Sequence, residues 1–192
     1  MGGDEEKNPA PLPNETDPER REIGGEAAWT LSSAKPGNGV EQLRDNNFET
    51  FWQSDGAQPH LINIQFYKKM KIKEVQFYCD FKRDESYTPN KISIKAGTGF
   101  HDLREVKLEE LEEPDGWVKI DLTTKTNSLN GFIQHLRAHV VQIAVLSSHQ
   151  NGRDTHVRQV KIYGPRQPST KGFGTELSSF NTIEFQQFSC VR

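Results

Sequence analysis

The nine residues Ser148-His149-Gln150-Asn151-Gly152-Arg153-Asp154-Thr155-His156 carry two amides, two imidazoles, a guanidinium and a carboxylate. They lie between two runs that read as strands, residues 140–146 and 160–163. Asn151-Gly152 alone would supply a turn, so the flanking polar side chains are more than a turn requires. A rigid scaffold that presents such a loop can grip a ligand through many directional hydrogen bonds. The competing reading is a solvated hairpin, in which Arg153 and Asp154 pair with each other. Metal chelation by His149, Asp154 and His156 would need an unrecognised ligand spacing with no cysteine to join them, so neither metal nor cofactor is expected. Asp84, Glu85 and Asp154 are carboxylates available for acid–base work, although acidic loop residues are usually just solvated. The sequence holds no phosphate-cradling loop, dinucleotide glycine fingerprint, nucleophile elbow or zincin helix, and no catalysis is expected of it.

Three further segments stand out. Residues 43–56 couple a polar turn to Phe51-Trp52. There Trp52 is expected to pack and Asp45 or Asn46 to stabilise a bend. Arg83-Asp84-Glu85-Ser86-Tyr87-Thr88-Pro89 joins two strands, with Tyr87 as a rigid amphipathic contact at the loop tip. Val191-Arg192 sets a cation and a small apolar side chain beside a terminal carboxylate.

The elements that must position these residues are mostly strands. Ile62, Ile64 and Phe66 share one face of a run at 60–66, and the odd-numbered positions of 74–81 are apolar. Residues 92–96 and 118–122 alternate in the same way, the period of half-buried strands. Residues 103–111 fit a helix by spacing, but their place between strand-like runs favours a strand. Residues 130–139 are open to a short helical turn or an extended insertion. Some seven or eight strands with turn residues between them predict an all-β sandwich. Residues 1–22, rich in proline and charge, are expected to form a disordered tail, 23–165 the domain, and 166–192 a second tail.

A net charge of -3 gives no reason to expect nucleic acid or an anionic membrane as partner. No apolar run reaches the roughly 20 residues of a membrane span. The amino-terminal stretch lacks an apolar signal core, which points to the nucleus and cytoplasm. Cys79 and Cys190, one in an alternating strand and one in the polar tail, do not suggest a disulfide framework.

Taken together, Leu43-Arg44-Asp45, Phe51-Trp52-Gln53-Ser54-Asp55-Gly56, Pro59-His60-Leu61, the 84–89 segment and the 149–156 segment resemble the Doc domain found in the anaphase-promoting complex, a ubiquitin ligase. The resemblance implies a galactose-binding-domain-like jelly roll acting as a non-catalytic recognition subunit. With a β-propeller coactivator it would form the receptor for destruction-box substrates and promote processive ubiquitination of cell-cycle proteins. Jelly-roll loops cluster at the ends of the strands. Ser86, Tyr87, Gln150, Asn151, Arg153, Asp154 and His156 are therefore the candidate degron-binding residues, with Asn151 and His156 as direct hydrogen-bonders. Ser86, Tyr87, Asn151 and His156, as exposed loop groups, are expected to be replaceable by alanine without unfolding the sandwich. Val191 and Arg192, where the family has Ile-Arg, would dock on a helical-repeat scaffold subunit. Two rivals remain: a lectin-like carbohydrate-binding module, since this fold class often binds sugars, and a glycan-processing enzyme using Asp84 and Asp154.

Overall fold

The structure, a computed structural model, describes residues 19–125 and 133–166. Val191, Arg192 and Cys190 lie outside the described residues, as do residues 1–18, 126–132 and the rest of 167–192. In chain order the strands are β1 (Arg20–Glu22), β2 (Ala27–Leu31), β3 (Trp52–Gln53), β4 (His60–Ile72), β5 (Glu74–Asp80), β6 (Pro89–Gly97) and β7 (Arg104–Glu110). There follow β8 (Asp115–Asp121), β9 (Thr124–Lys125), β10 (Ile133–Gln134), β11 (Leu136–Ser148), β12 (His156–Val157) and β13 (Gln159–Pro165). Two short helices, α1 (Val40–Arg44) and α2 (Phe81–Asp84), sit in loops between strands.

A five-stranded sheet in the order β2-β4-β11-β6-β7 faces a four-stranded sheet in the order β1-β13-β5-β8, all pairs antiparallel. The inward residues interdigitate as a side-chain period of two demands. Ile62, Ile64, Ile94 and Ile143 come from the larger sheet, and Val75, Phe77, Val160 and Ile162 from the smaller. Cys79 is buried among them, and burial pushes its thiol well above the ordinary cysteine range. Trp52 is wholly buried and donates its indole N–H to the Ser33 carbonyl at 2.9 Å. This is the jelly-roll β-sandwich that the strand pattern and the resemblance predict.

The structure departs from the sequence reading in informative places. Arg20, Arg21 and Glu22, assigned to the tail by composition, form β1 and pair with the last strand in the register Arg20↔Pro165 to Glu22↔Tyr163. Their charge is not wasted on solvent. The Arg20 guanidinium bonds the Glu74 carboxylate and lies 4.6 Å from the Tyr163 ring centroid. Glu74 and Gln76, on the face of β5 expected to be wet, are buried; Lys119 reaches the Glu74 carboxylate at 3.0 Å and Gln76 Nε2 at 2.6 Å. Residues 104–110 form a strand, and their helix-like charge pattern is that of a sheet edge exposed along nearly its whole length. In the 130–139 stretch, the described part is extended, and β11 starts at Leu136 with a register shift between Ala138 and Val140.

Candidate functional site

Two loops meet at one end of the sandwich. The first follows β5, where Asp80 caps α2 by accepting from the Arg83 N–H at 3.2 Å. The helix stops after one turn because Glu85 takes a positive φ of 43°, and a 3-10 turn then carries Ser86 and Tyr87. The second loop opens as His149 N–H donates to the Thr88 carbonyl at 2.9 Å, which ties it to the first. Gln150 and Asn151 both have positive φ, 51° and 57°. Asn tolerates this region, whereas Gln150 holds it at a cost of roughly 1–2 kcal/mol.

Gly152 has an ordinary φ of -57°, so the Asn151-Gly152 pair is not the two-residue hairpin turn that its letters suggest. Its glycine is required by space. A Cβ there would stand 1.9 Å from the Ser86 carbonyl oxygen, so the two loops touch backbone to backbone. Thr155 extends the seam: its hydroxyl donates to the Tyr87 carbonyl at 3.2 Å, and its N–H donates to Ser54 Oγ at 2.9 Å.

Beneath the loops lies a buried polar floor. His156 is 9% exposed, and its ring is sandwiched between Phe51 and Tyr87, each with its centroid 4.2 Å away. Its Nδ1 lies 3.1 Å from Asp84 Oδ1, so Nδ1 carries the proton and donates to the carboxylate. Arg158 grips the same carboxylate in two-pronged fashion, Nε at 2.9 Å and Nη2 at 2.8 Å, and spends Nη1 on the Phe48 carbonyl at 2.7 Å. Burial by itself would raise the Asp84 carboxyl, but the His156 and Arg158 hydrogen bonds and the Arg158 charge outweigh it. Asp84 is held below the ordinary carboxylate value. His156 Nε2 is buried with no hydrogen-bond partner among the described residues.

The structure therefore divides the sequence-predicted residues into two groups. Tyr87, Gln150, Asn151 and Arg153 are exposed at the loop end, and Ser86 is half-buried beside them. His156 belongs to the floor, so the expectation that all the candidate side chains are exposed loop groups does not hold for it. Arg153 and Asp154 do not form the pair weighed from the sequence. Asp154 turns to Lys35 at 3.5 Å, and the Arg153 carbonyl accepts from His60 Nε2 at 2.7 Å. Arg158 and Phe51 were not among the candidates. Arg158 sits two positions beyond His156 in a strand-like run, and a charged residue there signals a buried partner only once Asp84 is known to face it. Among the described residues, no three His, Cys, Asp or Glu side chains gather as metal ligands.

Comparison with known proteins bears on this geometry. The family described as "Anaphase-promoting complex, subunit 10 (APC10)" matches residues 5–190. The chain belongs to the anaphase-promoting complex subunit 10 family. Within that family it is 52% identical over 182 residues to the subunit 10 protein of Dictyostelium discoideum, covering 95% of this chain and 92% of that one. It is 51% identical over 172 residues to the subunit 10 protein of Homo sapiens, covering 90% and 88%. Among solved structures, the family 32 carbohydrate-binding module of Clostridium perfringens NanJ in complex with galactose has a TM-score of 0.60 at 14% identity, covering 75% of this chain and 98% of that one. A second clostridial module, in complex with GalNAc-beta-1,3-galactose, has a TM-score of 0.58 at 12% identity, covering 72% and 96%. At such identity these likenesses speak for the shared jelly roll only.

Proposed function

We propose that this subunit 10 family member assembles into the anaphase-promoting complex as a non-catalytic recognition subunit. With a β-propeller coactivator, its loop end binds the destruction box of substrates in the nucleus and cytoplasm. The observation that carries this reading is the fusion of the 84–88 and 149–156 loops into one surface, with Gly152 in contact with the Ser86 backbone. An extended peptide brings backbone donors and acceptors at every residue, and Ser86, Tyr87, Gln150 and Asn151 offer both kinds from a fixed frame. Tight loop packing lowers the ordering cost of binding. Longer residence of substrate on the ligase then allows more ubiquitin transfers per encounter.

Two features favour recognition over chemistry. Asp84, one carboxylate of the glycan-processing alternative, is locked in its ionised form by Arg158 and His156 and is a poor proton donor. Asp154, the other, is paired with Lys35. A sugar site usually wants a free aromatic face, and Tyr87 has one ring face laid on His156 at an interplanar angle of 9°.

The test is reconstituted ligase carrying Ser86, Tyr87 and Asn151 all replaced by alanine. These side chains do not reach the core, so the sandwich should stay folded while degron-dependent capture and processivity fall sharply. Each single change should cost about 0.5–1.5 kcal/mol of binding, and the triple should approach loss of capture. Adding His156→Ala should deepen the defect and also lower stability, since a stacked and buried ring is removed. Unchanged substrate capture by the folded triple variant refutes the site.

A further inference from the structure

The backbone of the 149–156 loop is held from outside it. The carbonyls of Gly152, Arg153, Asp154 and Thr155, in succession, accept from Gln58 Nε2 at 2.9 Å, His60 Nε2 at 2.7 Å, Ser148 Oγ at 3.2 Å and the Ser54 N–H at 3.1 Å. Ser54 Oγ in return accepts from the Thr155 N–H at 2.9 Å. Ser54, Gln58 and His60 all belong to the connection that leads from β3 into the first residue of β4. A third segment of chain therefore meets the two loops of the recognition end.

His60 is the fully buried member of this clamp, whereas Gln58 is exposed. A carbonyl only accepts, so the His60 ring carries its proton on Nε2. Its Nδ1 is buried with no hydrogen-bond partner among the described residues. An imidazole buried with one nitrogen unsatisfied is costly, so packing alone does not explain a histidine here. The bond to Arg153 does. Gln150 and Asn151, just ahead in the chain, hold successive left-handed backbone at φ of 51° and 57°, a region that residues other than glycine visit singly. Fastening 152–155 from outside keeps that shape before any ligand arrives, and a pre-formed loop binds at a lower ordering cost.

Granted the loop end as the degron site, we propose that His60 is a positioning residue for recognition. Its Nε2–H, assisted by Gln58, fastens the Gly152–Arg153 backbone and so fixes Gln150 and Asn151 in the arrangement that receives the substrate peptide. His60 itself touches no ligand, being buried beneath the loop it holds.

The test compares His60→Leu with His60→Gln, whose amide restores an N–H at about the reach of Nε2. Amide hydrogen exchange in the isolated full chain reads the loop without any substrate, through the Gly152 and Thr155 N–H groups. In His60→Leu these two should exchange about tenfold faster while the β5 and β13 amides keep their protection, and degron capture by the reconstituted ligase should fall about tenfold. His60→Gln should recover most of both losses, which a role in packing alone would not produce. Gln58→Ala, at an exposed position, should loosen the same two amides to a smaller degree, and it carries the test if His60→Leu does not fold. Unchanged exchange in Gln58→Ala and in folded His60→Leu overturns the clamp, and so does a His60→Gln chain as impaired as His60→Leu. A loosened loop with full capture overturns the positioning role if the Ser86, Tyr87 and Asn151 triple-alanine variant still loses capture. If that triple variant also captures fully, the degron reading of the loop end has failed, and the positioning role falls with it.

Discussion

Asp84 shows how one buried carboxylate can organise a recognition surface without touching it. It takes two hydrogen bonds from Arg158 and one from His156, and His156 in turn supports the ring of Tyr87, which is the exposed member of the stack. The Asp84 carboxyl is held below its ordinary value of 3.8, so its contribution to stability is fully present above the unfolded value and is lost as pH falls through the folded one. Wild-type stability should therefore drop below about pH 4, and Asp84→Asn should have a shallower dependence there. At neutral pH the same variant should be less stable by about 3–5 kcal/mol, because Arg158 stays buried without its counter-charge. Denaturant unfolding across the acid range measures both effects. Equal acid slopes for the two proteins would rule out Asp84 as the responsible group.

At the scale of elements, the loops are held by close approach rather than by turn chemistry. Gly152→Ala would drive a methyl group into the Ser86 carbonyl, which lies 1.9 Å from the ideal Cβ position. One loop must move, at a cost of about 1–3 kcal/mol by analogy with overpacked cores. The expected result is a lower unfolding midpoint together with weaker degron capture, whereas Gly25→Ala, with open space around its Cβ, should keep both. Unaltered capture by Gly152→Ala would mean the loop contact does not shape the site. The sequence made the alternating strands legible because burial on one face imposes a period of two, as in β4 with Ile62, Ile64 and Phe66 inward. It also brought Ser86 and Tyr87 into one account with Gln150 and Asn151 through the family resemblance. It did not disclose the floor. Arg158 and Asp84 are 74 positions apart, and no local pattern marks a cation whose counter-charge lies in another loop. Nor did composition reveal β1, because three polar residues next to a proline-rich stretch have no periodicity to detect.

For the molecule as a whole, β1 is the piece that closes the smaller sheet. Its backbone covers the free edge of β13, and Arg20 brings a charge to the buried Glu74 carboxylate, which sits at 1% exposure on the outer face of that sheet. Exposed edges invite unwanted pairing, so a short, charged cover strand has a protective role as well as a stabilising one. Consider two truncated chains, one beginning at residue 19 and one at residue 23. The shorter lacks β1 and leaves Glu74 with Lys119 and Gln76 as its remaining partners among the described residues. Removing one partner of a buried ion pair costs about 3–5 kcal/mol, and the Lys119 contact should reduce this to about 2–3 kcal/mol. Glu74→Gln in the shorter chain should recover part of that loss, since the neutral amide needs no counter-charge. Chemical denaturation of the three proteins at neutral pH decides the matter. If the chains beginning at 19 and 23 unfold at the same midpoint with the same slope, β1 is an ornament of the sheet edge rather than part of what holds it.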